Sequence, residues 1–361
     1  RTRDALGALD MSEWLVQNAE AGGPRLHWLD GLYARLVRAR YEQTLAHGLL
    51  LSGAAGIGKR VLANALAKAW LCEAGPGPAE QRPCGQCRGC GLTRVGNHPD
   101  LHLLAPAEGK SSISVDQVRE LSGELVLRPH AGGHRVALVV PAQLMTLSAQ
   151  NSLLKTLEEP PAGTVLVLVA DEIDSLAPTI RSRCQHLAVP APDAVACEAW
   201  LSEHGVPSAQ AREALALARQ APLAALGLSQ EGFVERVGTL TEDLVQIAHG
   251  RAEPVAVAGR WEKHDPHRVV DWWQGAMHAL AERVLAVPPA AHATPSASQR
   301  QLADEGAAWV AAVGLFGFVD RLHEASAILR GQSNPRLLLE GLLIDWAALT
   351  RSARIRRRRA P

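Results

Sequence analysis

Apolar residues follow two different rhythms along the chain, and the change comes near residue 190. Before it, short runs that are apolar throughout alternate with stretches whose apolar residues recur at helical spacing. His47 to Ser52 (HGLLLS), Asp100 to Leu104 (DLHLL), Arg135 to Val140 (RVALVV), Thr164 to Ala170 (TVLVLVA) and Gln185 to Val189 are the strand candidates. Between them, Arg60 to Leu71, Ile113 to Leu127 and Ser148 to Glu159 read as helices. The last opens on a serine cap, sets Leu153, Leu154 and Leu157 on one face, and is stopped by Pro160 and Pro161. Strands without a polar face, interleaved with helices, predict a parallel sheet covered on both sides.

From Ala194 onward only helical spacing remains, broken near Gly205 to Pro207, Gln220 to Pro222 and Gly250 to Pro254. The stretch Val287 to Ser298 (VPPAAHATPSAS) has no periodicity and is expected to be a mobile loop. Trp200, Trp261, Trp272, Trp273, Trp309 and Trp346 lie in this helical part, where large aromatics are expected to fill the core. The expected fold class is an α/β domain followed by all-α structure.

Composition narrows the function classes. The chain has 361 residues, 47% of them apolar, enough for two or three domains with real cores. Its 37 basic and 37 acidic residues balance, which argues against a dedicated, strongly basic nucleic-acid binder. No run approaches the roughly 18 to 20 apolar residues of a membrane span. The start lacks a basic, apolar, cleavable pattern, so a cytoplasmic protein is expected. Met11 is the expected native start, with the ten residues before it read as an extension. The run RSARIRRRRAP carries Arg351, Arg354 and Arg356 to Arg359. It is expected to be a solvated, unfolded tail, with contact to DNA phosphate as the alternative.

Residues 53 to 60 read GAAGIGKR. This is a phosphate-binding loop complete in Gly53, Gly58 and Lys59, but with Arg60 where the GxxxxGK[ST] pattern has Ser or Thr. Backbone amides of such a loop cradle phosphates, the lysine reaches the outer ones, and the final hydroxyl holds magnesium. A guanidinium cannot ligate a cation and brings positive charge to the metal's place. The strand before the loop and the helix after it are the context the motif demands. Weak or absent ATP binding is expected, because without a metal Lys59 alone must offset several phosphate charges.

Four of the six cysteines, Cys72, Cys84, Cys87 and Cys90, form a CxxCxxC knuckle with one further thiol upstream. They supply four thiolates for a closed tetrahedral Zn2+ site that supports folding and does no chemistry. An iron–sulfur cluster uses the same ligands and remains the alternative. Gly85, Gly89 and Gly91 are expected to ease the tight turns. Cys184 and Cys197 are expected to be buried as small apolar residues.

GAAGIGKR, the cysteine knuckle, NSLLKTLEEPP at 151 to 161 and RSRC at 181 to 184, in that order, resemble the AAA+ clamp-loader subunits of bacterial DNA polymerase III. In recognisable motifs the resemblance runs from about Leu45 to Cys184, and it continues more weakly through the helical remainder. It implies an AAA+ module over 1–190 with a zinc segment at 72–90, a small helical lid at 191–235, and a helical oligomerisation collar at 236–361. It also implies a hetero-oligomeric ring with gamma or tau and delta subunits, acting on the sliding clamp and primed DNA in a nucleoid-associated replisome.

Within that family the gamma and tau subunits hydrolyse ATP, while the delta-prime subunit has lost the site. Active members carry Thr after the loop lysine, an Asp-Glu pair ending the third strand, and an Arg in the lid. Here Arg60 takes the first place, Val140 and Pro141 the second, and Leu223 the third. No intrinsic ATPase is expected, nor a polymerase, since the acidic metal-binding pair of a nucleotidyl transferase is missing. The resemblance implies that Arg183 of Ser182-Arg183-Cys184 is an arginine finger reaching a neighbour's ATP, with Arg181 a weaker candidate and a plain salt bridge the bland reading. Glu158 and Glu159 are read as the end of a helix. Two rival functions stay open. One is an active gamma-like ATPase using Asp171, Glu172 or Asp174. The other is a zinc-containing DNA-binding module with a decayed loop.

Overall fold

The computed structural model describes residues 26–74, 78, 81–127, 129, 134–287, 295–307, 309–310, 312–329 and 334–359. Met11 and the residues before it lie outside these, as does most of the expected loop after Val287. The chain divides into two compact units that meet between Pro192 and Asp193.

The first unit is built on five parallel strands: β1 (Gly48–Ser52), β2 (Leu101–Leu104), β3 (Arg135–Val139), β4 (Thr164–Ala170) and β5 (Gln185–Ala188). Their order across the sheet is β2-β3-β4-β1-β5. The three inner strands are buried along their whole length, as their unbroken apolar runs predict. The two edges are not: β5 buries only Leu187 and β2 only Leu104.

Among the described residues, the α-helices that precede the second unit are α1 (Asp30–Tyr41), α2 (Lys59–Trp70), α3 (Arg88–Arg94), α4 (Val115–Val126), α5 (Leu147–Glu158) and α6 (Pro178–Arg181). Leu50, Ala137, Val139, Leu166 and Leu168 point to one face of the sheet, where they pack with Val118, Leu121 and Leu125 of α4 and Leu153 and Leu157 of α5. Helix α2 contacts β1, β3 and β4, and buries Leu62, Leu66 and Trp70.

Sequence reading placed α2, α4 and α5 within two residues of their ends, but misjudged one cap. Helix α5 starts at Leu147, because the hydroxyl of Thr146, not Ser148, accepts from the amide of Ala149 at 3.2 Å. Helix α4 has a full capping box between Ser114 and Gln117. Helix α1 was not legible: arginines interrupt its pattern and only Leu36 and Val37 are buried, so it shows no apolar stripe.

The second unit is entirely helical among the described residues: α7 (Ala194–Glu203), α8 (Ser208–Leu217), α9 (Pro222–Gln230), α10 (Phe233–His249), α11 (Pro254–Trp261), α12 (Pro266–Leu285), α13 (Ala297–Gly306), α14 (Ala312–Leu329) and α15 (Pro335–Arg359). The breaks fall where glycine and proline predict them. Trp261, Trp272, Trp273 and Trp346 form an edge-to-face cluster, with Phe318 tilted against Trp273 and Trp346, and all are buried, as is Trp200. Trp309 is only half-buried. The indole of Trp261 donates to Asp243 at 2.9 Å and that of Trp346 to the Leu244 carbonyl at 3.0 Å, so their N–H groups are satisfied inside the core.

The arginine run departs from expectation. Backbone helix continues to Arg359 in α15, in place of an unfolded tail. The reason is cooperativity: Leu339, Leu342, Leu343 and Trp346 anchor the start of α15 in the core, and extending an existing helix through Ala and Arg is inexpensive next to nucleating one. No helix among the described residues is long and apolar enough to cross a membrane.

Candidate functional site

Parallel register places the chemistry at one edge of the sheet. Ser52 pairs with Ala170 and Val139 with Leu168, so the loop after β1, the turn after β3 and the segment after β4 leave the sheet side by side. Outside the carboxyl ends of parallel strands is where open α/β sheets bind ligands.

The loop after β1 turns on glycines. Gly53 has φ of 145°, and a Cβ there would stand 2.5 Å from Cδ1 of Ile57. Gly58, at φ 100°, enters helix α2 from the left-handed region. From outside the loop, the Trp28 indole donates to the Ile57 carbonyl at 2.9 Å.

Lys59, the first residue of α2, is 3% exposed. Its ammonium donates to the carbonyls of Gly53 at 2.7 Å and Ala54 at 2.6 Å, and it pairs with Oδ1 of Asp171 at 2.5 Å. An ammonium has three hydrogens, and these three acceptors take them all. Burial lowers the Lys59 pKa, and the Asp171 partner acts against that.

Asp171 is held in turn by Gln143, just past β3. Gln143 Nε2 donates to Asp171 Oδ2 at 3.2 Å, and the Asp171 amide donates to Gln143 Oε1 at 3.3 Å. Val140 and Pro141 occupy the strand end and offer no side-chain oxygen to a metal, and neither does the half-buried Arg60. Glu172 and Asp174, the other carboxylates considered for this edge, lie further along the same segment, where Asp174 pairs with Arg181 at 2.9 Å. Sequence reading named Asp171 as a carboxylate near the loop but missed Gln143, whose only signal was its place two residues after Pro141.

Arg183 lies between α6 and β5, with 36% of its side chain exposed. Its Nε donates to Oε1 of Glu158 at 2.7 Å, with Nη2 at 2.5 Å from the same oxygen. Nη1 reaches the Thr179 carbonyl at 3.2 Å. Glu158 is therefore the helix end foreseen, but it is also the intramolecular partner of this arginine. Cys184 and Cys197 are buried, and burial pushes both thiols up to about 11, as expected of inert cysteines.

The four knuckle cysteines converge. Their Sγ atoms all lie within 4.8 Å of one another, with Cys84 to Cys90 and Cys72 to Cys87 each at 3.9 Å. A tetrahedron with metal–sulfur bonds of about 2.3 Å has edges of about 3.8 Å, so the donor set fits one four-coordinate ion. A disulfide would need about 2.05 Å. Backbone amides point at the sulfurs: Cys84 N to Cys72 Sγ at 3.4 Å, Glu73 N to Cys87 Sγ at 3.4 Å, and Cys90 N to Cys87 Sγ at 3.3 Å. Amides of Gln86 and Cys87 bring the Cys84 thiol down to about 6.

The buried Arg82, missed in the sequence, ties the knuckle to its surroundings. It donates to the carbonyls of Cys72 and Ala74, and its guanidinium lies 4.0 Å from the Tyr41 ring centroid. Of the three glycines beside the knuckle cysteines, Gly85, Gly89 and Gly91, only Gly85, at φ 75°, serves a turn. Gly89 and Gly91 sit within α3, and Gly89 is there for closeness: a Cβ would stand 2.4 Å from the Leu71 carbonyl at the end of α2. Gly89→Ala is expected to push α3 off α2 and cost about 1–3 kcal/mol, read as a lower denaturation midpoint. An unchanged midpoint would show that the contact yields freely.

A family model described as DNA polymerase III, delta subunit, matches residues 29–193. The DNA polymerase III subunit delta' of Pseudomonas aeruginosa is 38% identical over 249 residues, covering 68% of this chain and 74% of that one. The Haemophilus influenzae subunit delta' is 33% identical over 280 residues, covering 77% and 81%. The Escherichia coli subunit tau is 28% identical over 246 residues, covering 67% of this chain but 36% of its own. The resemblance carried by the loop, the knuckle and the RSRC segment thus extends over most of the chain at the level of whole sequences, and the chain belongs to the delta-prime subunit family of DNA polymerase III.

Proposed function

We propose that this chain is a non-hydrolysing member of the clamp-loader ring, a fixed wall that presents Arg183 to ATP held by a neighbouring gamma or tau subunit. In the ring it would also support the delta subunit while the sliding clamp is placed on primed DNA. Phosphoryl transfer needs magnesium bridging the phosphates and a carboxylate to orient the attacking water. The observation that carries the reading is the set of residues at those places: Arg60, Val140 and Pro141, beside a lysine whose three hydrogens are already taken. Against this, Arg183 lies on an accessible edge with a guanidinium suited to phosphate.

The thiol site is read as structural Zn2+. Four cysteine ligands leave no open position, and sulfurs this close suit a single ion better than a four-iron cage. Residues 191–235 are read as a lid and 236–361 as the oligomerisation collar. These helices pack together within the second unit, where Glu213 of α8 accepts from the amide of Ala297 at 2.6 Å.

One observation favours the rival motor: Asp171 is a carboxylate at the loop. Its oxygens are engaged by Lys59 and Gln143, however, so it is poorly placed to orient water. Steady-state ATP hydrolysis by the purified chain with Mg2+ separates the two. No turnover above that of Lys59→Ala is expected; turnover that disappears in Lys59→Ala would make the chain a motor.

A further inference from the structure

We infer that Asp171 is the residue that decides whether this loop takes a polyphosphate: its carboxylate stands in for phosphate on Lys59 and keeps the cradle shut. In a working loop the lysine reaches the outer phosphates and so needs a hydrogen free for them. Here Gly53 and Ala54 carbonyls take two, and Asp171 Oδ1 takes the third at 2.5 Å. The pairing is fixed by the fold, because Ser52↔Ala170 register brings the two segments out of the sheet as neighbours, and Gln143 holds Asp171 by donating to its carboxylate and accepting from its backbone amide.

The need for such a stand-in follows from burial. A lysine only 3% exposed must keep a counter-charge or lose its proton, since an unpaired buried ammonium is costly. Where phosphate fills that role in an active loop, a protein that no longer binds it has two ways to stay stable: lose the lysine, or supply an internal anion. This chain has retained Lys59 and supplies Asp171. The glycine turns that shape the cradle persist as well, so removing one negative charge uncovers a formed anion site with Lys59 at its centre.

This deepens the non-hydrolysing reading, on which it rests, and its test measures binding apart from turnover. The full chain, Asp171→Asn and the Asp171→Asn, Lys59→Met double variant are titrated with ADP and with inorganic tripolyphosphate, following heat of binding and melting temperature. Asp171→Asn is isosteric but cannot neutralise the ammonium. It is expected to melt below the unsubstituted chain, to recover on adding tripolyphosphate, and to bind it at least about 10-fold more tightly. The double variant should lose that gain. Gln143→Leu, which loosens the carboxylate without removing it, should show a smaller gain, and serves if Asp171→Asn fails to fold. Affinity no tighter in Asp171→Asn than in the unsubstituted chain, or no gain in Gln143→Leu when that variant alone folds, overturns the inference. ATP turnover by the unsubstituted chain would instead overturn the non-hydrolysing reading.

Discussion

Arg183→Ala is expected to leave the chain folded and able to assemble, while ATP turnover at the neighbouring subunit's site falls by about 10^3 or more, the scale of an arginine finger acting in trans. Arg183 sits where its loss is tolerable to the fold: its ion pair with Glu158 is 36% and 49% exposed on the two sides. Pairs of that kind contribute about 0–1 kcal/mol, so a phosphate oxygen in a partner's site readily outcompetes Glu158 for the guanidinium. Arg183→Lys should not rescue, because an ammonium lacks the planar fork. Glu158→Gln, which frees Arg183 from its partner, should leave turnover within about 2-fold and melting nearly unchanged. The measurement is single-turnover ATP hydrolysis in the reconstituted ring, with each variant replacing the unsubstituted chain. Unchanged hydrolysis with Arg183→Ala would reduce this arginine to a strut between α5 and the sheet edge.

Treating the chain with a chelator to remove the proposed Zn2+, or replacing Cys87 by serine, is expected to open α3 and the cysteine turns beside it while the parallel sheet survives. Structural zinc in small peptides contributes an apparent 10–16 kcal/mol or so of binding free energy, which in such peptides is folding free energy. Here the effect is local, because Cys72 follows directly on α2 and Arg82 holds the segment through the Cys72 and Ala74 carbonyls. Elemental analysis should give about one zinc per chain. Chelation should release it, raise amide exchange across α3 and lower the melting temperature by several degrees. Iron with visible absorbance would replace zinc by a cluster. A chain that carries no metal and exchanges identically as Cys87→Ser would leave four thiols with no ion to hold.

How much of this was legible in the residues depends on the range of the interaction concerned. The inner strands announce themselves because burial on both faces leaves only apolar residues, as in Thr164 to Ala170. The edge strand β5, expected at Gln185 to Val189, is mostly exposed, since an edge needs fewer apolar neighbours. Helix α1 and the buried Arg82 gave no signal, because each is stabilised by partners far away in sequence: Arg82 against Tyr41, and the Tyr33 hydroxyl on the Arg82 carbonyl at 2.6 Å. The four-thiol set was legible because three of its cysteines stand at CxxCxxC spacing and the fourth lies only twelve residues before them. The role of Gly89 was misread as a turn, because its neighbour, the Leu71 carbonyl, is invisible until α3 is folded against α2.

The residues alone determined which chemical groups this protein has and lacks: a phosphate loop with Arg60 in the metal's place, Val140 and Pro141 at the strand end, four clustered thiols, and Arg183 in the RSRC segment. Those are properties of side-chain type at fixed local spacing, and no fold is needed to see that a guanidinium or a proline cannot ligate magnesium. Only the tertiary structure decided what each charged group faces. Strand register set Asp171 against Lys59 and Gln143, and the end of α5 set Glu158 against Arg183. A charge acts on whatever lies within a few ångströms of it, and in this chain those neighbours stand 25 to 112 residues away.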